Sequence, residues 1–333
     1  MIRPSRVLVT LAALLVTVTA CSDADGDEGQ AQAGDKVTYV TAFGAVGRDS
    51  FAWVAKEKGF FREAGIDVDI QKGAGNVQNL TMIKSGQAQF AALDFTGAVI
   101  QAGTGKFTDW RAVAAVHQQT LVSIMTTADT GITKPADLPG RTIATAAGSV
   151  SELLFPAYAQ LAGFDPKTVT MQGAQTTALN GLMAQRKVDA LSTFLLSRKA
   201  LENTSKKQVV VLPYSDYLKD LFGNAIITTP AFIASDRDLV GRFVGAVMKG
   251  LRYTIDHPDE AAAILNKAEP TSAVAAAVGE INAMKPYVPA PGGGPLGSFD
   301  QARVSSGIAE LETAGLMPKG LTPDKIVDPG FIR

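Results

Sequence analysis

Two ten-residue stretches decide the fold: Gly86-Gln87-Ala88-Gln89-Phe90-Ala91-Ala92-Leu93-Asp94-Phe95 and Gln185-Arg186-Lys187-Val188-Asp189-Ala190-Leu191-Ser192-Thr193-Phe194. Each leaves a helix end, takes a short turn, enters an apolar strand and closes on a polar residue and a Phe. Outward from the first, Val37–Phe43 reads as a buried strand and Ser50–Ala64 as a helix, with Ser50 at its N-cap and Gly65 as its stop. Ile66–Ile70 alternates as a strand, and Val77–Ser85 is a helix ended by Gly86. Around the second stretch the order repeats: strand Arg141–Ala146, helix Val150–Ala162, strand Thr168–Gln172, helix Thr177–Arg186, strand Val188–Thr193. Alternating strands and helices with short loops build parallel sheets with right-handed crossovers. Two such units predict an α/β protein of two lobes, each a doubly wound sheet.

Between the units lies a strand, Val122–Thr127, and after them Gln208–Leu212 and the apolar run Asn224–Thr229. Ser235 is placed to cap a long helix, Asp236–His257, with Asp238 three residues on. Helical segments 259–268 and 271–284 follow, then a Pro/Gly-rich loop at Pro286–Gly297 and a last helix over Phe299–Ala314.

Composition narrows the chemistry. The 31 Lys+Arg against 32 Asp+Glu leave a net charge of −1 with no basic run, which excludes a nucleic-acid partner. One cysteine and two histidines exclude disulfides and Cys- or His-rich metal centres, so no metal or cofactor is expected. Trp53, Trp110 and His117 read as packing residues, and His257 as a cation at a helix C-terminus.

The N-terminus has its own logic. Arg3 and Arg6 precede an apolar stretch, Val7–Val18, too short to span a membrane and proportioned like a signal-peptide core. Val18-Thr19-Ala20-Cys21 resembles the bacterial lipobox. That resemblance implies removal of residues 1–20 and lipidation of Cys21, tethering the protein to the outer face of the cell membrane. Residues 21–35 lack aromatic and β-branched side chains, carry five acids, and are expected to form a disordered tether.

Four further motifs stand in register over residues 36–270. Lys58-Gly59-Phe60-Phe61-Arg62-Glu63-Ala64-Gly65-Ile66-Asp67-Val68, Lys134-Pro135-Ala136-Asp137-Leu138-Pro139-Gly140-Arg141-Thr142-Ile143, Ala147-Gly148-Ser149 and His257-Pro258-Asp259-Glu260-Ala261 resemble elements of the solute-binding proteins of ABC importers. The chain is similar to those for nitrate, sulfonates and taurine, and for the pyrimidine precursor of thiamine or riboflavin. The resemblance implies the periplasmic-binding-protein fold of type II, a monomer that traps a small molecule between lobes and hands it to permease and ATPase subunits. Lobe 1 is then expected at 36–123 plus 228–333 and lobe 2 at 124–227, with crossings near Val122–Thr127 and Asn224–Thr229.

Ligands of open α/β sheets sit beyond the carboxyl ends of the strands. That rule selects five loops. The first, Phe43 to Asp49, offers Phe43 as a stacking face and Asp49 as an acceptor for ring N–H groups. The second, Gly73-Ala74-Gly75-Asn76, is a tight turn without the rest of a nucleotide fingerprint, and its Asn76 can hydrogen-bond a ligand. The third holds Asp94, Phe95 and Thr96, where Asp94 either meets the ligand or caps the next helix. The fourth holds Gly148, Ser149, Val150 and Ser151. There Ser149 and Glu152 form a capping box whose free N–H groups can also hold an electron-rich atom. The fifth supplies Thr193 and Phe194. Phe43, Phe95 and Phe194 are either ring platforms or core.

Acids and aromatics together favour a neutral heterocycle over an anion. The resembling pyrimidine binders carry an aromatic-Pro-Asn-His-like run in loop one, which this chain lacks, whereas a flavin stays compatible. A sulfonate, taurine or nitrate is the alternative. An enzyme resembling the eukaryotic pyrimidine synthase is a third reading, opposed by the missing cleft histidine and cysteines.

Overall fold

The computed structural model describes residues 34–332, so the expected signal peptide, Cys21 and nearly all of the tether lie outside the described residues. Ten strands form two five-stranded sheets. The first contains β1 (Asp35–Val40), β2 (Ile66–Gln71), β3 (Phe90–Asp94), β4 (Arg111–Ala115) and β10 (Asn224–Thr228), in the order β2-β1-β3-β10-β4. The second contains β5 (Val122–Thr127), β6 (Thr142–Ala146), β7 (Thr170–Ala174), β8 (Ala190–Phe194) and β9 (Val209–Pro213), in the order β7-β6-β8-β5-β9. The two orders are the same design. β1 runs parallel to β2 and β3, as β6 does to β7 and β8. The fourth strand is antiparallel in both: β10 in the first sheet and β5 in the second. Each of these is the first strand that the chain builds after passing into that sheet.

The expected crossings are corrected. Val122–Thr127 and Asn224–Thr228 are themselves strands, and the chain passes between sheets at 116–121 and 214–223. Both passing segments are too apolar at their ends to announce themselves: Val116, Leu121, Tyr214, Leu221 and Phe222 are buried. The segments also bond to each other, Thr120 N–H donating to Leu221 O at 2.7 Å and Gly223 N–H to His117 O at 3.1 Å.

Other expected boundaries shift for local reasons. The helix over 50–64 divides into Phe51–Glu57 and Phe60–Glu63, because Gly59 takes a left-handed φ of 78° that ends the first piece. Ser50 does not cap it; its hydroxyl donates to Gly47 O instead. The helix over 150–162 divides into Val150–Leu153 and Phe155–Leu161, since Pro156 has no N–H to continue the ladder. The long helix Arg237–Asp256 is capped by Asp236, whose carboxylate accepts the Leu239 N–H at 2.9 Å. Ser235 is the last residue of a short preceding helix, Pro230–Ser235.

The first sheet is covered by the long helix. Phe90 of β3 stacks on its Phe243 with centroids 3.8 Å apart, and Phe61 stacks on the same ring. Such an aromatic stack adds about 1 kcal/mol to the burial of its area. His117, expected in the core, is fully buried. Trp53 and Trp110 are buried as well.

Candidate functional site

In both sheets the connections diverge around the central parallel strand, between β1 and β3 and between β6 and β8. A crevice opens at the carboxyl ends of such strands. The loops after β1, β2 and β3 on one side, and after β6 and β8 on the other, therefore build the candidate site.

Loop one is fastened to loop two. Phe43 forms a bridge pair with Ala74, Gly44 N–H donates to Gly73 O at 2.8 Å, and Gly75 N–H to Ala42 O at 3.2 Å. Gly73 is required here, because a Cβ would lie 2.0 Å from Thr41 O. Buried Asn79 completes the frame by donating to the carbonyls of Thr41 at 2.9 Å and Ala92 at 2.7 Å. Phe43 is left 51% exposed, free to present its ring.

Asn76, expected on the ligand, spends its amide on the backbone of β3. Its Nδ2 donates to Asp94 O at 2.7 Å and its Oδ1 accepts the Asp94 N–H at 3.0 Å. It is a strut that holds Asp94 in place. Asp94 takes the capping role with one oxygen and leaves the other unpaired. Its Oδ1 accepts the Gly97 N–H at 2.7 Å, capping the next helix, while its Oδ2 has no partner. Burial pushes Asp94 up to about 6, opposed by the Gly97 hydrogen bond and by Arg48.

Phe95 and Thr96 are corrected to core residues. Phe95 packs edge-on against Trp110 and Phe222, and Thr96 donates its hydroxyl to Phe222 O at 2.8 Å. The strand ends at Asp94, so the next side chains belong to a helix that turns Phe95 beneath the sheet. Asp49 is also withdrawn: it is fully buried, and its Oδ1 accepts the Ala42 N–H at 3.0 Å, which shapes loop one from within.

Across the cleft, Gly148 adopts a φ of 72° and its N–H donates to Glu152 Oε2 at 2.5 Å. Ser149 caps the helix by accepting the Glu152 N–H at 3.4 Å. That helix has only four residues, so it carries little of a macrodipole. What loop four offers is a chain of hydroxyls. Ser151 Oγ lies 2.8 Å from Ser149 Oγ and 3.1 Å from Thr145 Oγ1. Ser192 of β8 donates to Ser151 O at 2.9 Å and meets the Tyr214 hydroxyl at 2.8 Å, joining loops four and five. Ser151 and Thr193 are buried, while Val150 and Phe194 are half-buried.

Two unforeseen residues join the site. Arg48 of loop one sits with its guanidinium 5.9 Å from the centroid of the Phe194 ring, so the first lobe reaches the second at this point. Its Nε is 3.5 Å from Asp49 Oδ2, and its backbone N–H donates to Glu280 Oε2 at 3.4 Å. Arg48 lowers the pKa values of Asp49, Asp94 and Glu280, each of which burial raises by more. Arg48 stood within loop one and was passed over for its neighbour. Glu280 lies far along the chain on the helix Val274–Met284, where no local pattern signals it.

A concavity of 1170 Å³ lies elsewhere, along the outer flank of Arg237–Asp256. Three of the cations that line it are paired, Arg237 with Asp328, Arg242 with Asp35 and Asp238, and Lys249 with Glu63. It lies on the helical flank and not at the carboxyl ends of the parallel strands, so topology rather than volume selects the site. Among the described residues no group of His, Cys, Asp and Glu could hold a metal ion, and no helix is long and apolar enough to cross a membrane.

Comparison with known proteins bears on the family and the fold. The model of the NMT1/THI5-like family matches residues 50–261. The formylaminopyrimidine-binding protein of Halalkalibacterium halodurans is 24% identical over 217 residues, and the riboflavin-binding protein RibY of Chloroflexus aurantiacus 25% over 213. These matches cover 65% and 63% of this chain. They span less than two thirds of the relatives' own length, 65% and 59%. Among solved structures, the periplasmic aliphatic sulphonate binding protein SsuA of Escherichia coli superposes with a TM-score of 0.71 at 16% identity, covering 89% of this chain and 92% of its own. The desulfurization enzyme DszB shares the fold at a TM-score of 0.59 and 16% identity, over 89% of this chain and 97% of its own. The two-lobed α/β architecture is thus that of periplasmic binding proteins, one that also carries an enzyme. With the family model covering well over half of its length, the chain belongs to the NMT1/THI5-like family.

Proposed function

We propose that this protein is the extracytoplasmic solute-binding subunit of an ABC importer, and that it captures a small nitrogen heterocycle of the riboflavin or thiamine-pyrimidine type. The observation that carries the reading is the balance of groups where the lobes meet: two acids, Asp94 and Glu280, with Asp49 buried behind them, stand against one cation, Arg48. A sulfonate or nitrate would find more acid groups than cations there. A ring with N–H donors would find a free acceptor in Asp94 Oδ2 and a face in exposed Phe43. The names of the two relatives support the same class.

The mechanism is binding by closure. Loops one to three grip the ligand from the first sheet, and Phe194 with the hydroxyls of loop four from the second. Only the closed form makes both sets of contacts, so the ligand shifts the population towards it. In this reading lobe 1 carries the first sheet, 36–115 plus 224–332, and lobe 2 the second, 122–213, with the two crossings between them. Catalysis is not part of this reading. Buried His117 has its Nδ1 occupied by the Asn224 N–H, and the Ser149 and Ser151 hydroxyls bond each other, which suits a framework role for all three. Cys21 would carry the lipid, holding the domain beside its permease.

Thermal-shift titration of the purified protein tests the class. Riboflavin or an aminopyrimidine raises the melting temperature while taurine and nitrate do not. A shift with taurine or nitrate alone overturns the heterocycle, and steady turnover of any ligand overturns the binding role.

A further inference from the structure

The helix Gln301–Thr313 lies behind the two crossings, remote from the cleft loops in sequence, and one of its side chains holds both. Arg303 Nη2 donates to Gln118 O at 2.7 Å and Nη1 to Gln118 Oε1 at 3.3 Å, both in the first crossing. The same Nη2 donates to Lys219 O at 3.2 Å, and Nε to Asp220 Oδ1 at 3.4 Å, in the second. The guanidinium lies over the Phe222 ring at 4.5 Å, and Phe222 is part of that second crossing. The side chain is only 15% exposed, and its bonds to Gln118 and Asp220 are part-buried while the one to Lys219 O is open to solvent. Gly307, one turn on, has no room for a Cβ, which would stand 2.9 Å from Asp220 O. The helix is therefore seated on the second crossing by close backbone contact as well.

Gln118 makes the case sharper. Its N–H donates to Tyr287 O at 2.7 Å and its Nε2 to Ser298 O at 2.8 Å. With Arg303 on its two oxygens, every polar group of this crossing residue is held by the segment 287–303. A planar guanidinium with five donors can span two backbones in this way; a lysine ammonium, a point donor on a flexible stem, cannot hold both and stack on Phe222. A polar hollow of 640 Å³ lined by Gln119, Ser215, Asp216, Lys219, Asp220, Pro291 and Arg303 opens beside the clamp, so the crossings have room to move when it is released.

We propose that Arg303 is a positioning residue that couples the two crossings, so that they bend as one hinge and the lobes move as two bodies. The inference rests on the closure reading above but not on the identity of the ligand. Without Arg303 the crossings keep the backbone bonds they make to each other but lose the side chain that anchors both to the helix behind them. The ligand-free ensemble then widens, and affinity falls although no cleft residue has changed.

Hydrogen exchange on the ligand-free full chain tests it, with Arg303→Ala, Arg303→Lys and Asp220→Ala as variants. Arg303→Ala is expected to speed amide exchange tenfold or more at both 116–121 and 214–223, with the sheets unaltered. Arg303→Lys restores protection at no more than one crossing, and Asp220→Ala loosens only the second. Faster exchange at one crossing alone in Arg303→Ala, or at neither, overturns the coupling. So does full protection of both crossings in Arg303→Lys. Riboflavin and taurine titrations separate the two claims. If neither binds even the wild type while both crossings loosen together in Arg303→Ala, the ligand reading fails and the clamp stands.

Discussion

His117 makes the hinge region sensitive to acid. It is fully buried at the first crossing, and its Nδ1 accepts the Asn224 N–H at 3.2 Å, which leaves the ring proton on Nε2 beside Met284 Sδ at 3.5 Å. Protonation would set an N–H against the Asn224 N–H and bury an uncompensated charge near Arg48. Burial, with Arg48 adding to it, accordingly lowers its pKa from 6.5 to about 3. The sign follows from linkage: the unfolded chain binds a proton below pH 6.5 that the folded chain refuses until about pH 3, so stability is lost on acidification through that window. At pH 5, 1.5 units below the unfolded value, the cost is about 2 kcal/mol at 1.36 kcal/mol per unit. Any folded value below about 4 gives nearly the same figure. Asp94 and Glu310 oppose it, because burial raises them to about 6 and about 7, and they stabilise the fold as they take up protons. A comparison with His117→Asn removes those shared contributions. The amide keeps an acceptor for the Asn224 N–H and does not titrate. Denaturant unfolding of both proteins at pH 7.5 and pH 5 should show the wild type's advantage shrinking by about 2 kcal/mol. An advantage that stays constant between the two pH values would refute the buried neutral imidazole.

Other expectations follow from the site. Asp94→Asn keeps a capping oxygen for Gly97 but removes the charge, so it should weaken riboflavin binding about tenfold to a hundredfold, the worth of a charge-assisted hydrogen bond, with little loss of stability; calorimetric titration measures both affinities. Phe95→Ala should cost about 3–5 kcal/mol of stability and leave the dissociation constant of the surviving folded protein unchanged, since the ring packs on Trp110 and Phe222. Ser149→Ala should cost about 1 kcal/mol for the lost cap, seen as a lower denaturant midpoint at an unchanged slope.

How far the residues alone carried the account is clearest strand by strand. The repeat of Gly86–Phe95 in Gln185–Phe194 placed β3 and β8, which occupy equivalent positions in the two sheets. Strand periodicity is local, and so it was legible. The crossings were not, because apolar residues that join two sheets look like residues within one. Asp94 and Ser149 were legible as caps from the residues that follow them. Whether Phe43, Phe95 or Phe194 faced the cleft was not, since that turns on where the strand ends, and a one-residue step reverses the face. Glu280 and Arg303 lay beyond any local reading. They meet Arg48 and the crossings only because the C-terminal helices fold back over the first lobe.

Small-angle scattering of the full chain, alone and saturated with riboflavin, tests the central claim most directly. A contraction in the radius of gyration on binding is the expected result, as two halves swing together on their crossings. Saturation of the protein with no change in dimensions would contradict it.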